Sequence, residues 1–395
     1  MNRSTLRSEA DALKDQLVAW RRDFHRHPEL GYQEFRTSGI VAKHLASLGL
    51  EVQTGVGRTG VIGLLEGEKP GPVVMLRFDM DALPIQELNQ TDYMSQTPGV
   101  MHACGHDGHT AIGMGIAQLM VKHRDEFAGT LKFVFQPAEE GQNGALAMIG
   151  DGALEDPRPE VALGLHMWNE LRSGLAAIGS GGVMAAADIV NIKVQGKGGH
   201  GAQPHRCVDA LIIAAQIVVA LQTVVARNVD PRQTAVVTIG TLQAGTAFNI
   251  IADSTEMTGT IRTFDPATRE GIIRRVTGVV ENTAQALGGS ATIEITSISP
   301  ATINDDRVAQ FMHATAIDVL GAENVTADQF TMAAEDMSEF LSRVPGCFFF
   351  LGSANAEQGL NAPHHNPHFD IDENVLPMGV AVLASAAMRY LNGGR

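Results

Sequence analysis

The sequence predicts an α/β protein of layered architecture, interrupted by an inserted α+β unit. Three observations predict it. The runs at 73–78, 130–135 and 161–165 are apolar without alternation, as in strands buried on both faces of a largely parallel sheet. Helical stretches at 108–123 and 143–149 separate them, which gives helix layers over a sheet. From about residue 185 the texture changes, and the order strand-helix-strand-strand-helix-strand up to 298 is that of a ferredoxin-like unit. At 395 residues the chain exceeds one ordinary core, so two domains are expected, 1–184 with 299–395 and 185–298.

Taken in order, residues 4–27 and 34–48 carry apolar positions at helical spacing, broken by His27-Pro28 and Gly31. Strand-like runs follow at 50–53 and 61–65, joined by Gly55-Val56-Gly57-Arg58-Thr59-Gly60. That hexapeptide matches the dinucleotide fingerprint formally, but the fingerprint requires a helix directly after the glycines. Here Val61-Ile62-Gly63-Leu64-Leu65 and then Pro70-Gly71-Pro72 follow, so a hairpin turn is expected. The three apolar strands lead into Asp79 and Asp81, into Gln136-Pro137-Ala138-Glu139-Glu140-Gly141, and into His166. Function in such sheets gathers at the strands' carboxyl ends, so these residues share one rim.

In the inserted unit Val190, Ile192 and Val194 alternate with polar residues, a half-exposed strand. A glycine-histidine loop (196–205), a helix (208–226), strands at 235–242 and 255–263, a helix (267–287) and a strand (291–295) complete it. The tail returns to the first style, with helices near 305–319, 334–343 and 375–391 and a strand at 347–351. Its polar loop 361–369 contains His364, His365 and His368.

Composition excludes several function classes. A net charge of −15 disfavours nucleic acid as a partner. Three widely spaced cysteines, Cys104, Cys207 and Cys347, argue against a disulfide framework and for a reducing, cytoplasmic setting. The N-terminus lacks a signal pattern, no apolar run approaches the roughly 20 residues of a membrane span, and no membrane partner is expected.

The densest chemistry is Met101-His102-Ala103-Cys104-Gly105-His106-Asp107-Gly108-His109. Three imidazoles, a thiol and a carboxylate within eight residues suit a borderline-soft divalent ion. A Glu-Glu pair is ordinarily a solvated turn, but Glu139-Glu140 follows a buried strand in register with His166. In an extended segment their side chains alternate, so one would ligate while the other faces substrate.

Together with His365-Asn366-Pro367-His368-Phe369, Gly164-Leu165-His166, Phe24-His25-Arg26-His27-Pro28-Glu29-Leu30 and Asp79-Met80-Asp81-Ala82-Leu83-Pro84, these motifs occur in one order. The ordered set resembles the amidohydrolase branch of the aminoacylase and carboxypeptidase G superfamily. Hippurate hydrolases, N-acyl-amino-acid amidohydrolases and indole-acetyl-amino-acid hydrolases belong to it. The resemblance implies a mixed-sheet α/β/α metallopeptidase-like catalytic domain with an inserted lid that also dimerises, in a homodimer or homotetramer. It implies two divalent ions (Zn, Mn, Co or Ni) held by Cys104, His106, Glu140, His166 and His365, with a shared water as nucleophile. Glu139 would be the general base, and Asp81 a carboxylate orienting a ligand. His200, in Gly198-Gly199-His200-Gly201-Ala202, would reach the partner subunit's site and stabilise the oxyanion. Asn249 and Arg262 would hold the substrate carboxylate, although Arg262 read by itself serves equally as a surface strand residue.

The expected reaction is hydrolysis of an N-acyl amino acid to a carboxylate and a free amino acid. The alternatives are a dipeptidase or carboxypeptidase, or the deacetylase of an N-acetylated intermediate, on the same centre. A non-catalytic metal-binding or redox-sensing role for Cys104 is a distant third. Asp79 serves equally as a helix or turn cap, His205 reads as a loop-capping residue, and Glu335-Asp336 resembles an acidic pair of the family with no assigned role. Phe248 and Phe348 to Phe350 serve either an acyl pocket or the core.

Overall fold

The uninterrupted apolar runs form the inner strands of a large mixed sheet. Its order is Glu51–Val56, Gly60–Glu66, Ala128–Gln136, Lys69–Asp79, Val161–Arg172, Gly346–Ala354, Ala176–Ala177, Val325–Thr326. The structure is a computed structural model describing residues 3–394, with side chains from residue 5, so residues 1, 2 and 395 of the expected first domain lie outside the described residues. The central neighbours are parallel, Lys69–Asp79 against both Ala128–Gln136 and Val161–Arg172, and Gly346–Ala354 against Val161–Arg172. Phe78, Phe133, Phe135 and Phe348 to Phe350 fill the core almost without exposure, so the three consecutive phenylalanines are core. The glycine-rich hexapeptide is a hairpin turn, with Gly57 at φ 61° and Glu51–Val56 antiparallel to Gly60–Glu66.

Several elements differ from expectation for identifiable reasons. The first helix is two, Arg3–Ala12 and Lys14–Arg26, because the Leu13 N–H bonds three residues back to the Ala10 carbonyl and tightens the turn. The helix expected at 334–343 shrinks to Met337–Leu341, since Glu335 and Asp336 turn inward to Arg77. His166 does not follow its strand but lies inside it, opposite Phe350. The ladder to the other neighbour ends at Arg77↔Gly164, which opens the rim on that side. Two 19-residue segments, Ala210–Asn228 and Glu373–Leu391, match a membrane span in length and composition, contrary to the expectation of no such run. The second is mostly buried as a core helix, and the first lays Ile213, Ile217, Leu221 and Val224 into its unit's own core.

The chain divides into two compact units. One runs to Val183 and resumes over Thr302–Phe330 and from Glu335; the other is Met184–Ala301 with Thr331–Ala334. In the second, an antiparallel sheet has the order Ala235–Ala244, Ser254–Thr263, Ala186–Gln195, Ser290–Ser299. Ala186–Gln195 alternates buried and exposed residues beyond Asp188, as a one-sided sheet requires. Helices Ala210–Asn228 and Pro266–Ala286 supply the rest of this core.

Candidate metal centre

The rim of the large sheet gathers side chains from five separate segments. Cys104 lies in the loop ending at Gly105, whose φ of 86° lets helix His106–Val121 begin abruptly. Glu139 and Glu140 lie in the short turn Glu139–Gln142, bracketed by left-handed Ala138 (φ 54°, ψ 45°) and Asn143 (φ 58°). The segment is therefore not extended, and the expected alternation fails. Ligand atoms of both glutamates lie within 4.8 Å of His106 and of each other. His365 joins through a left-handed backbone (φ 62°) whose N–H donates to the Ala103 carbonyl at 2.8 Å.

Two triads result, Cys104-His106-His166 and Cys104-Glu140-His365, each with its ligand atoms within 4.8 Å of one another. They share Cys104. Its Sγ is 3.5 Å from His166 Nε2, and His365 Nε2 is 3.2 Å from Glu140 Oε1.

Hydrogen bonds decide which imidazole nitrogens are free. His106 Nδ1 meets the Asp81 carbonyl at 2.9 Å and Asp81 Oδ1 at 3.2 Å, leaving Nε2 buried without a partner. His166 Nδ1 donates to the Met167 carbonyl at 2.7 Å, which turns Nε2 toward Cys104. His109 has no free nitrogen: Nε2 accepts the Met167 N–H at 2.9 Å, and Nδ1 donates to Asp79 Oδ1 at 2.6 Å. His364 Nε2 donates to the Met167 carbonyl at 3.0 Å, whereas its neighbour His365 faces Glu140. His102 is buried with both nitrogens unpartnered, and burial pushes it down to about 4, so it is neutral.

The site is strongly anionic. Burial opposes a charge on His106, yet Asp79 and Asp81 outweigh it and push the imidazole up to about 10. Burial, then Glu140 and Glu139, raises the Cys104 thiol well above its ordinary range. Burial, then Glu335 and Glu140, raises Glu139 likewise. Beneath them Arg77, without exposure, donates to Asp79 (2.6 Å), Glu335 (2.7 Å), Asp336 (2.9 Å) and Gln136 (2.8 Å). One guanidinium cannot balance this many carboxylates. An unpartnered imidazole nitrogen, a thiol and a carboxylate oxygen facing one another fit divalent cations.

Asp81 touches both triads, since its Oδ2 also accepts the Glu140 N–H at 3.0 Å. Asp79 is no cap. It lies between Arg77 and His109 and fixes the tautomer of that imidazole, and its place at a strand's carboxyl end was the signal available for it. Glu335 and Asp336 anchor the same arginine. Spacing and composition drew no attention to Glu34, fully buried and bonded to the Ala138 N–H at 2.9 Å.

In the second unit, His200 and Asn249 are neighbours, because Gly199–His200 pairs with Ile250–Ile251 and the Gly201 N–H meets the Asn249 carbonyl at 2.8 Å. His200 is exposed, and its Nδ1 accepts the Ala202 N–H at 3.0 Å, so Nε2 carries the ring proton. Phe248 beside them is wholly exposed. Arg262 stands elsewhere, half-buried in Ser254–Thr263 with Nε on the Thr260 hydroxyl at 3.2 Å. Ser254 and Arg262 are eight steps apart along this extended strand, about 27 Å. His205 sits in an exposed single-turn helix, Pro204–Arg206.

The model of peptidase family M20/M25/M40 matches residues 75–389. The putative amidohydrolase YhaA of Bacillus subtilis is 41% identical over 395 residues, covering 99% of either chain. Thermostable carboxypeptidase 2 of Saccharolobus solfataricus is 38% identical over 98% of either chain. The IAA-amino acid hydrolase ILR1-like 4 of Arabidopsis thaliana is 38% identical over 95% of this chain and 86% of that protein. The crystal structure of the Bacillus subtilis YXEP protein, described as a dinuclear metal-binding peptidase of the M20 family, superposes with a TM-score of 0.84. It is 32% identical, over 97% of this chain and 99% of that one.

Proposed function

Because the chain belongs to peptidase family M20/M25/M40, hydrolases of amide bonds that include metal-dependent amidohydrolases, we propose that it cleaves N-acyl amino acids to a carboxylate and a free amino acid. The observation that carries the reading is the pair of ligand triads sharing Cys104, with the Glu139 carboxyl beside them. Cys104, His106 and His166 would hold one divalent ion, and Cys104, Glu140 and His365 the other; zinc and manganese suit this donor set. When bound, the ions supply Lewis acidity toward the substrate carbonyl and toward water. Glu139 takes the proton of the attacking water and returns it to the leaving amine, and its raised proton affinity matches that double task. Asp81 orients His106 and steadies the Glu140 backbone.

His200, with its proton on Nε2, donates to the oxyanion, while Asn249 and Arg262 bind the substrate carboxylate. The separation of His200 and Asn249 from Arg262 supports a site completed by two copies, hence a homodimer or larger homo-oligomer. One copy would give Arg262, and the partner copy the other two. The unpaired cysteines favour a reducing, cytoplasmic setting.

The test is Glu139→Gln assayed on a panel of N-acyl amino acids and dipeptides. We expect both ions retained and turnover lost by several orders of magnitude; wild-type turnover refutes the base assignment. The carboxypeptidase relative favours one second reading, cleavage of peptides at the carboxyl end. Faster turnover of dipeptides than of N-acyl amino acids would select it. Mixed dimers of His200→Ala and Glu139→Gln subunits should regain activity if the histidine acts across the interface.

A further inference from the structure

We propose that Glu34 is a positioning residue for this reaction, its buried carboxyl tying Ala138 to Thr59 so that the turn carrying Glu139 and Glu140 keeps its working geometry. The proposal rests on the roles assigned above to those two glutamates.

Glu34 occupies the N-cap position of helix Phe35–Ser47 yet does not cap it. Glu29 does that work, accepting the Arg36 and Thr37 N–H groups at 2.9 and 2.8 Å. Glu34 turns inward instead, without exposure. One oxygen accepts the Ala138 N–H at 2.9 Å, and the other accepts the Thr59 hydroxyl at 2.5 Å. The residue it holds is the strained one. Ala138 is left-handed, which an L-residue with a Cβ adopts only when its surroundings impose it. Glu139 follows directly.

The chain around Glu34 is shaped to the same turn. A Cβ on Gly31 would come within 3.1 Å of the Ala138 Cα and Cβ, tighter than an ordinary contact, so glycine eases this approach. The Tyr32 hydroxyl donates to the Gln142 carbonyl at 2.9 Å. Along the turn, the N–H groups of Ala138, Glu140 and Ala145 end on three carboxylates, Glu34, Asp81 and Asp336. Asp81 also meets His106, and Asp336 also meets Arg77. The other oxygen of Glu34 goes to Thr59, which is no proposed ligand, so replacing Glu34 tests the turn without touching the ligand set.

The experiment compares full-length, metal-loaded Glu34→Ala, Glu34→Gln and the double variant Glu34→Ala with Ala138→Gly, measuring kcat, KM, bound metal and thermal stability. Glu34→Ala should lower kcat about 100-fold, the effect of misplacing a reacting group by roughly 1 Å, with KM little changed. Glu34→Gln should keep most activity, since its amide oxygen accepts the Ala138 N–H and its amide nitrogen donates to the Thr59 hydroxyl. Glycine at 138 accepts the left-handed geometry unaided and should restore part of kcat in the double variant. Wild-type kcat in Glu34→Ala, a loss of stability alone, or equal damage in Glu34→Gln overturns the proposal. If Glu34→Ala does not fold, Thr59→Val replaces it, with kcat expected about 10-fold down and an unchanged value overturning the idea. Glu139→Gln is run alongside. Retained turnover there defeats the base assignment, whereas an inactive Glu139→Gln beside a fully active Glu34→Ala defeats only the role of Glu34.

Discussion

Replacing Asp81 with alanine removes one buried carboxylate that serves both ligand triads. Its Oδ1 meets His106 Nδ1 at 3.2 Å and its Oδ2 accepts the Glu140 N–H at 3.0 Å, with the residue 1% exposed. The two losses are unequal. His106 keeps the shorter bond to the residue-81 carbonyl at 2.9 Å, so its tautomer survives. The Glu140 N–H loses its carboxylate acceptor in a half-buried turn, which costs about 1–3 kcal/mol. Transferred to binding, that corresponds to about 10–100-fold in metal affinity, the range typical of partners behind a ligand. The assay is competition with a chromophoric chelator, reading both dissociation constants for wild type and Asp81→Ala. Both ions should weaken, because His106 belongs to one triad and Glu140 to the other. Constants within about twofold of wild type would refute the orienting role, and a loss confined to one ion would refute the shared one.

Cys104→Ala should abolish binding of both ions together with activity, because the two triads have that sulfur in common; metal analysis of the purified variant checks it. Arg77→Met leaves Asp79, Glu335 and Asp336 buried without their cation, and urea unfolding should show a loss of about 3–5 kcal/mol. Glu34 gives a pH signature. Burial, with the Asp81 charge adding to it, pushes its carboxyl up to about 7 from an ordinary 4.5. The folded state then binds this proton more tightly than the unfolded one. Its contribution is complete below pH 4.5 and is lost as pH rises through 7. Metal-free wild type should lose up to about 3 kcal/mol relative to Glu34→Gln across that window. A stability difference between wild type and Glu34→Gln that is the same at the two ends of that window, each read from urea unfolding, would contradict the raised value.

Periodicity made the elements readable because it is local. Uninterrupted apolar runs such as 161–165 have few alternatives to an inner strand, and the alternation of Val190, Ile192 and Val194 reports one buried face. Where such readings failed, a distant partner intervened. Arg77 draws Glu335 and Asp336 out of a helix that their own propensity would extend, although more than 250 residues of chain lie between them. The turn at Glu139-Glu140 was misread as extended for a similar reason. Its left-handed Ala138 is held by Glu34, 104 residues earlier, and no spacing rule encodes that bond.

By itself the sequence determined the layered class, the ferredoxin-like order of the second unit and the ordered motifs that identify the family. Each depends on residue type and near-neighbour spacing. Only the tertiary structure decided which nitrogens are free. His106 and His109 are one helical turn apart and alike in sequence, yet Asp79 and the Met167 N–H occupy both nitrogens of His109, while Asp81 leaves His106 Nε2 open. Hydrogen-bond assignment depends on which groups meet after folding, and those groups come from strands and loops far apart in the chain.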